Sequence, residues 1–443
     1  MKISSVALLC AFAVTAPAAD WPQFRGPAAS GVASTASPPL HWDATKGVNI
    51  AWTAEIPGLA VSSPIVWGDR IYLTTAVSGD PTQKFRTGQY GDTDSVNDPT
   101  PHQWFVLALD KSTGKVLWRQ LAHQGVPKTK RHPKSSQASA TPATNGSVVV
   151  AWFGSEGLYC YSAEGKLLWK KDLGIQNAGW FFDPDSEWGV GSSPVIYKNS
   201  VIVLCDRQKD SFIAAFNLKD GRELWRTARV ELPTWGTPTL VETARRVEVV
   251  TNGSKGIRGY DADSGRELWT LGPNSELVCT TPVAADGIIY VTAGYPPVAP
   301  IYAVKAGSSG DLTLKQGQQS SDSIAWSKSS GGVYLPSPIA YDGLLYTVSN
   351  GGVVTAYDGK SGNRVYQQRL GGDSFVASPV AAAGNLFIAS EDGDVYVVKA
   401  GAKYELLAKN PIGEAIIASP AFAGDMLLVR GTKRLFAIAE KNR

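Results

Sequence analysis

The sequence is poor in cysteine, histidine and methionine, with Cys 4, His 4 and Met 2 among its 443 residues. Cys160, Cys205 and Cys279 are far apart, which excludes a disulfide framework, and each stands in an apolar stretch typical of small buried core residues. No histidine stands at ligand spacing from a cysteine, and none has the context of a hydrolase triad. The sequence therefore predicts no metal site and no catalytic residue, which favours a protein that is not an enzyme.

Charge and long apolar runs are also scarce. Charged residues make up 18% of the chain and the formal net charge is +3, so nothing indicates nucleic acid or an anionic membrane as a partner. Lys2, the apolar stretch 6–14 and the small residues 16–18 have the pattern of a signal peptide, and that stretch is too short to span a bilayer. Cys10 lies inside the apolar stretch, which disfavours lipidation. We expect residues 1–18 to be removed near Ala18 and the protein to be exported, to the periplasm or the cell exterior.

What the sequence does contain is a repeat of short strands and tight turns. It has Gly 45, Trp 14 and Tyr 16, a composition that suits β-structure. A Ser/Thr-Pro pair before an apolar stretch recurs eight times, 41 to 78 residues apart. The shortest spacings match the roughly 40–45 residues of a four-stranded propeller blade, and the longer ones are that period plus insertions. The prolines are Pro64, Pro142, Pro194, Pro238, Pro282, Pro338, Pro379 and Pro420.

A second signal lies at the end of each repeat, where a hairpin glycine precedes an aromatic residue by four positions. This spacing is strict in 114/118, 165/169, 221/225 and 265/269, and Gly362 with Tyr366 is a variant. Trp52 and Trp326 stand at the same place after altered hairpins, whereas Leu406-Leu407 replaces the aromatic in the seventh repeat. One aromatic per blade predicts docking between neighbouring blades. The predicted docking residues are Trp52, Trp118, Trp169, Trp225, Trp269, Trp326 and Tyr366.

The ends of the chain predict how the ring closes. The last repeat stops after its third strand, at residues 435–438, and the segment 49–53 around Trp52 precedes the first Ser/Thr-Pro pair. An N-terminal strand that completes the last blade would remove the free sheet edges. We therefore predict an all-β, eight-bladed β-propeller of four-stranded antiparallel blades over residues 48–443, preceded by an N-terminal arm over residues 19–47.

The Ser/Thr-Pro starts, the segment 108–118 (ALDKSTGKVLW) and the repeat count resemble the pyrroloquinoline-quinone-like (PQQ-like) β-propeller family over about residues 48–440. The N-terminal WPQFRGP at 21–27 is similar to a leader of exported bacterial members. The resemblance implies one of two roles. Quinoprotein dehydrogenases bind the quinone and calcium at the propeller axis, whereas scaffolds include the propeller lipoprotein of the outer-membrane β-barrel assembly machinery. The chain lacks the adjacent cysteine pair of the former and a lipidation cysteine like that of the latter.

Three long connections point to one face of the ring as a binding surface. They are residues 79–102, 123–139 and 172–192, and enlarged loops often carry function. The alternative is elaboration exposed to solvent. The basic run 128–134, which includes His132, suits an anionic ligand or a solvated loop.

Aromatic and charged residues add candidates on this face. Trp180, Trp188 and the intervening Phe181-Phe182 suit a platform for a protein or planar ligand, or a plug of the channel mouth. The acids of 183–187 lack the glycine of a calcium loop. Asp206 and Arg207 are expected to pair with each other or to serve a ligand together with Trp235.

These observations favour an exported binding or scaffold module that takes a protein or small-molecule ligand on its loop face. The alternative function is a quinone-dependent dehydrogenase, with PQQ and calcium, that oxidises alcohols or sugars. A ring that serves only as a spacer is a third hypothesis.

Overall fold

The computed structural model describes residues 20–89, 93–180, 183 and 186–440 as a ring of eight four-stranded antiparallel sheets. The predicted eight-bladed propeller is confirmed, and the predicted signal peptide lies outside the described residues. The strands of blades 1 to 4, from the axis outward, are as follows. Blade 1 contains Ile65–Trp67, Arg70–Ser78, His102–Asp110 and Val116–Gly125. Blade 2 contains Ala143–Thr144, Val148–Trp152, Leu158–Ser162 and Leu167–Lys171, and blade 3 contains Val195–Tyr197, Ser200–Cys205, Phe212–Asn217 and Glu223–Ala228. Blade 4 contains Thr239–Glu242, Val247–Asn252, Ile257–Asp261 and Glu267–Leu271.

The other four blades follow the same order, and the last one takes its outer strand from the N-terminus. Blade 5 contains Val283–Ala285, Ile288–Thr292, Ile301–Lys305 and Ile324–Lys328. Blade 6 contains Ile339–Tyr341, Leu344–Val348, Val353–Asp358 and Arg364–Arg369, and blade 7 contains Val380–Ala382, Asn385–Ala389, Asp394–Lys399 and Leu406–Pro411. Blade 8 contains Ala421–Ala423, Met426–Arg430, Arg434–Ile438 and Ile50–Glu55. Because Ile50–Glu55 pairs antiparallel with Arg434–Ile438, the predicted closure by an N-terminal strand is confirmed.

Burial differs sharply between the inner and outer strands of a blade. All six residues of Ser200–Cys205 are buried, whereas Glu223–Ala228 at the outer edge alternates exposed and half-buried positions. The inner strands are covered on both faces by neighbouring blades, so they carry near-continuous apolar runs. The hydrophobic core is therefore a series of layers between blades, each shared by two sheets.

Five tryptophans on outer strands contact the next blade in the same way. Each indole N–H donates to a backbone carbonyl there, and each ring lies over a glycine with positive φ, where an added Cβ would approach the ring to 2.4–2.9 Å. Any residue larger than glycine would collide with the indole of the preceding blade, which explains why this hairpin position is glycine. The bonds join Trp52 to Lys111 (3.0 Å), Trp118 to Ala163 (3.0 Å), Trp169 to Leu218 (2.7 Å), Trp225 to Ala262 (3.2 Å) and Trp326 to Gly359 (2.8 Å).

Trp269 and Tyr366 depart from this arrangement. The Trp269 indole donates to Glu248 Oε2 at 2.9 Å within its own blade. Blade 5 has no short glycine hairpin for Trp269 to pack on, because the connection before its outer strand Ile324–Lys328 is long. This connection contains Gly310–Asp311, which pairs in parallel with the outer strand of blade 4. The Tyr366 hydroxyl is buried and has no hydrogen-bond partner in the part of the chain that the structure describes.

The N-terminal arm crosses the end of the ring opposite the three long connections. Trp21 bridges to Val66 in blade 1, and the Pro22 carbonyl accepts from the Thr144 N–H of blade 2 at 2.8 Å. After a 3₁₀ turn at Pro27–Ala29, Val32–Ala33 pairs in parallel with the inner strand of blade 7. A second 3₁₀ turn, Gly154–Glu156, lies in blade 2. The described residues include no helix that is both long enough and apolar enough to cross a membrane.

Candidate functional site

The hydroxyls of the eight Ser/Thr-Pro pairs form a ring around the propeller axis. In seven steps the backbone N–H of one member donates to the hydroxyl oxygen of the next blade, at 2.9–3.0 Å. Proline follows each member and has no N–H of its own, so it costs no ladder bond at this position. The ring stays open at one step, where the Ser63 hydroxyl is buried without a partner among the described residues. The members are Ser63, Thr141, Ser193, Thr237, Thr281, Ser337, Ser378 and Ser419.

These hydroxyls line an axial cavity of about 140 Å³. Phe24 of the N-terminal arm completes the lining, and a second ring comes from the residues two positions before each hydroxyl. None of the lining side chains is acidic or basic. Burial raises the pKa of the Cys279 thiol to about 12, which keeps it protonated at neutral pH. The second ring consists of Val61, Ser139, Gly191, Trp235, Cys279, Leu335, Val376 and Ile417.

The three long connections, residues 79–102, 123–139 and 172–192, join into one layer that we call the cap. Val96 and Arg131 form an antiparallel bridge between the first two connections. The His132 N–H donates to the Trp188 carbonyl at 3.1 Å, which joins the second connection to the third. The Trp188 indole donates to the Thr93 carbonyl at 3.3 Å, which joins the third to the first. Hydrogen bonds therefore join each of the three connections of the cap to the other two.

A buried carboxylate on blade 7 anchors the cap across the ring. Lys134 Nζ lies 2.6 Å from Glu391 Oε1, whose side chain is 1% exposed. The Gly88 N–H donates to Glu391 Oε2 at 2.8 Å, and the Ser374 hydroxyl donates to Glu391 Oε1 at 2.8 Å. One carboxylate thus holds two of the three connections. No sequence signal marked Glu391, because it stands in an ordinary hairpin turn far from them in the chain.

His132 lies within the cap and packs edge-on against Trp188, with ring centroids 5.5 Å apart. Its Nδ1 accepts from the Lys134 N–H at 3.0 Å. Burial and the neighbouring charges of Lys134, Arg86 and Arg131 lower the pKa of His132 to about 4, so the ring is neutral at pH 7. The basic run is not a solvated loop: the backbone N–H groups of 128 and 130 donate to Glu156 and Glu187.

Trp188 and Trp235 come together between the cap and the cavity. Their rings lie 5.9 Å apart, and the Trp235 indole donates to the Gly189 carbonyl at 2.7 Å. Trp188 is 7% exposed, so it covers the channel mouth and is not an open platform. Trp180 is half-buried, and its carbonyl accepts from Gln208 at 3.3 Å. Residues 181, 182, 184 and 185 of the aromatic and acidic loop lie outside the described residues.

The predicted pairing of Asp206 with Arg207 is wrong. Asp206 is buried and accepts two bonds from Arg229, at 2.7 and 2.9 Å, because both residues follow strands of blade 3 and face the interior. Thr234 donates to the same carboxylate at 2.6 Å. Arg207 instead donates to backbone carbonyls, including that of Ile175 at 3.1 Å. Asp206 therefore makes its ion pair in the interior of the protein.

The known proteins to which the chain is similar share its propeller architecture. The family model for outer membrane protein assembly factor BamB matches residues 105–270, 209–304 and 253–443. BamB from Moraxella catarrhalis is 15% identical with a TM-score of 0.52, and the alignment covers 84% of this chain and 99% of that one. No curated protein matches the chain.

Two redox enzymes share the fold at similarly low identity. A europium-containing methanol dehydrogenase is 13% identical with a TM-score of 0.59, over 94% of this chain and 89% of its own. Quinohemoprotein alcohol dehydrogenase from Comamonas testosteroni is 13% identical with a TM-score of 0.59, over 97% and 82%. At such identities the likeness concerns the fold alone.

Proposed function

The chain belongs to the PQQ-like propeller family described as outer membrane protein assembly factor BamB, and on that premise we propose that it is a binding or scaffold module that engages a protein partner through its cap. The observation that carries the proposal is the cap itself. Three separate connections form one hydrogen-bonded layer that is anchored at Glu391. This layer covers one end of the ring, and the blades themselves do not require it. A fixed surface of this kind suits recognition, since it loses little conformational freedom on binding.

Exposed apolar side chains on the same face support a protein partner. Val126, Ile175 and Val230 follow the outer strands of blades 1, 2 and 3, and they are 51%, 50% and 83% exposed. Apolar residues that recur on one exposed face mark interaction surfaces more often than an isolated one does.

The quinone of the dehydrogenase hypothesis does not fit the axial cavity. Pockets for organic ligands of that kind measure roughly 300–1,000 Å³, whereas the cavity measures about 140 Å³ and no carboxylate lines it. Calcium prefers carboxylate and carbonyl oxygens, and the described part of the chain has no cluster of three acidic, histidine or cysteine side chains that could hold a metal. We therefore derive no redox chemistry for this chain.

Export is part of the proposal. It rests on the basic, apolar and small-residue segments of residues 1–18 and on membership in a family described by an outer-membrane assembly factor. The protein would then act in the cell envelope or outside it.

A photo-crosslinking amino acid placed at Val230 or Ile175 in intact cells tests the proposed face. We expect a discrete cross-linked partner from these positions. A probe at Lys360, in an exposed hairpin at the opposite end of blade 6, is the matched control and should give none.

The triple substitution Val126→Glu, Ile175→Glu and Val230→Glu should abolish the cross-link from a remaining cap position such as Gln124. It should leave the melting temperature nearly unchanged, because these side chains are exposed. Equal cross-linking from Lys360, or a partner that survives the triple substitution, would contradict the proposal.

A further inference from the structure

Two buried arginines flank the axial cavity. Arg25 is 1% exposed and follows Phe24, which lines the cavity. Its guanidinium donates to the carbonyls of Pro338 and Pro379, at 2.8 and 3.2 Å, and to that of Ala29 at 3.1 Å. Both prolines directly follow members of the hydroxyl ring.

Arg430 does not line the cavity itself but contacts Ser62, beside the step where the hydroxyl ring is open. It is 3% exposed, and its Nη1 donates to the Ser62 carbonyl (2.9 Å), the Ser62 hydroxyl (2.7 Å) and the Thr74 carbonyl (3.0 Å). The next residue, Ser63, carries the ring hydroxyl without a partner. The Arg430 guanidinium therefore contacts the residue that directly precedes the unpaired ring hydroxyl.

Neither guanidinium has a carboxylate of the described residues within ion-pair distance. The buried Arg229, by contrast, pairs with the buried Asp206 at 2.7 Å. Burial lowers the pKa of both Arg25 and Arg430 to about 9, which reflects the cost of holding an uncompensated charge. Buried charges in proteins are normally paired.

The cavity wall offers the matching hydrogen-bond donors. A hydroxyl that accepts a backbone N–H still has its own proton to donate, and seven ring members are in this state. Ser63 adds an eighth hydroxyl, and no acidic side chain opposes a negative charge in the lining.

We propose that the axial cavity binds a small inorganic anion of the size of sulfate or phosphate. The ring hydroxyls donate to it, and the charges of Arg25 and Arg430 compensate it. The cavity of about 140 Å³ has room for such an ion and excludes larger organic ligands. This site is separate from the proposed binding surface on the cap.

The test uses the purified mature protein in gluconate buffer at constant ionic strength. Sodium sulfate and sodium phosphate are titrated by calorimetry and by thermal melting, after overnight equilibration because the arm and the cap close both ends. We expect a saturable heat and a saturable rise in melting temperature. Ser63→Ala removes the one ring hydroxyl that accepts no ring N–H, and it should weaken the affinity about tenfold or more.

Ser37→Ala, at an exposed serine of the arm, is the matched control and should bind as the parent does. Arg430→Lys keeps the charge and should retain binding, whereas Arg430→Met should lose it. Crystals grown with selenate should show an anomalous peak on the axis beside Ser63. A non-saturable rise in melting temperature that is equal in the parent and Ser63→Ala, which is a general salt effect, or a peak elsewhere, would overturn the proposal.

Discussion

At the scale of single residues, the blades are joined by a few polar contacts set in apolar layers. The five docking tryptophans each combine a buried or half-buried ring with one satisfied N–H. Tyr366 lacks the hydrogen bond to the next blade, because its hydroxyl is buried and has no partner among the described residues. The two residue types therefore contribute differently to stability, although they occupy corresponding positions in the repeat.

Replacing Trp169 by phenylalanine should lower the free energy of unfolding by about 1–2 kcal/mol, because the Leu218 carbonyl loses its donor while most of the ring packing remains. Tyr366→Phe is the control and should be neutral or slightly stabilising, since it removes a buried hydroxyl without a partner. Urea denaturation of both variants measures the difference. Equal destabilisation by the two substitutions would contradict this explanation of docking.

His132 should make the protein less stable in mild acid. Burial and the nearby charges of Lys134, Arg86 and Arg131 hold its folded-state pKa at about 4, below the ordinary value of 6.5. Between these two pH values the unfolded chain binds more protons than the folded one, so stability falls as the pH is lowered through this window, by up to about 3 kcal/mol.

Melting curves from pH 7 to pH 4 for the parent and His132→Asn measure this contribution. The asparagine side chain can accept the Lys134 N–H but does not titrate, so its curve should be flatter in this range. Parallel curves for the two proteins would rule out the effect.

At the scale of elements, the cap depends on Glu391. Glu391→Gln removes the negative charge that faces Lys134, which weakens the attachment of residues 79–102 and 123–139 to blade 7. We expect hydrogen exchange to become at least about tenfold faster in these two segments and to stay unchanged in the inner strands. Glu164→Gln, at a 72% exposed carboxylate 3.6 Å from Arg70, is the control and should change little. Unaltered exchange in the cap of Glu391→Gln would show that other contacts hold it.

The repeat could be predicted from the sequence because each blade reuses the same local chemistry. The Ser/Thr-Pro start, the hairpin glycine and the aromatic each solve a problem within one blade or between neighbours, so their spacing is visible in the chain. Contacts between residues that are far apart in the chain produce no such repeated spacing in the sequence. Lys134 and Glu391 are 257 residues apart, and Arg25 and Pro338 are 313 apart, and nothing local marks either pair.

Three further features could not be predicted, for physical reasons. The hydroxyl of each Ser/Thr-Pro pair acquires its role only when eight blades bring eight of these hydroxyls to one axis. The sequence predicts a pair between Asp206 and its neighbour Arg207, whereas Asp206 pairs with Arg229 at the end of another strand of blade 3. The edge of blade 4 is covered by Gly310–Asp311, so Leu268 is 8% exposed while the corresponding Leu168 is 42% exposed.

At the scale of the whole molecule, the ring is closed in three ways. Ile50–Glu55 closes it around its circumference, the N-terminal arm closes one end, and the cap closes the other. What remains inside is a hydroxyl-lined cavity too small for a planar cofactor, so recognition of larger partners is left to the outer surface.

The most direct test of this account is a titration of the purified mature protein with PQQ, with and without calcium, followed by thermal melting, absorbance and dye-linked alcohol oxidation. The account predicts an unchanged melting temperature, no bound-quinone absorbance and no oxidation at saturating cofactor, because the axial cavity cannot admit the ring system. A ligand that binds the native state must raise the melting temperature. A saturable rise with quinone, together with calcium-dependent alcohol oxidation, would contradict it.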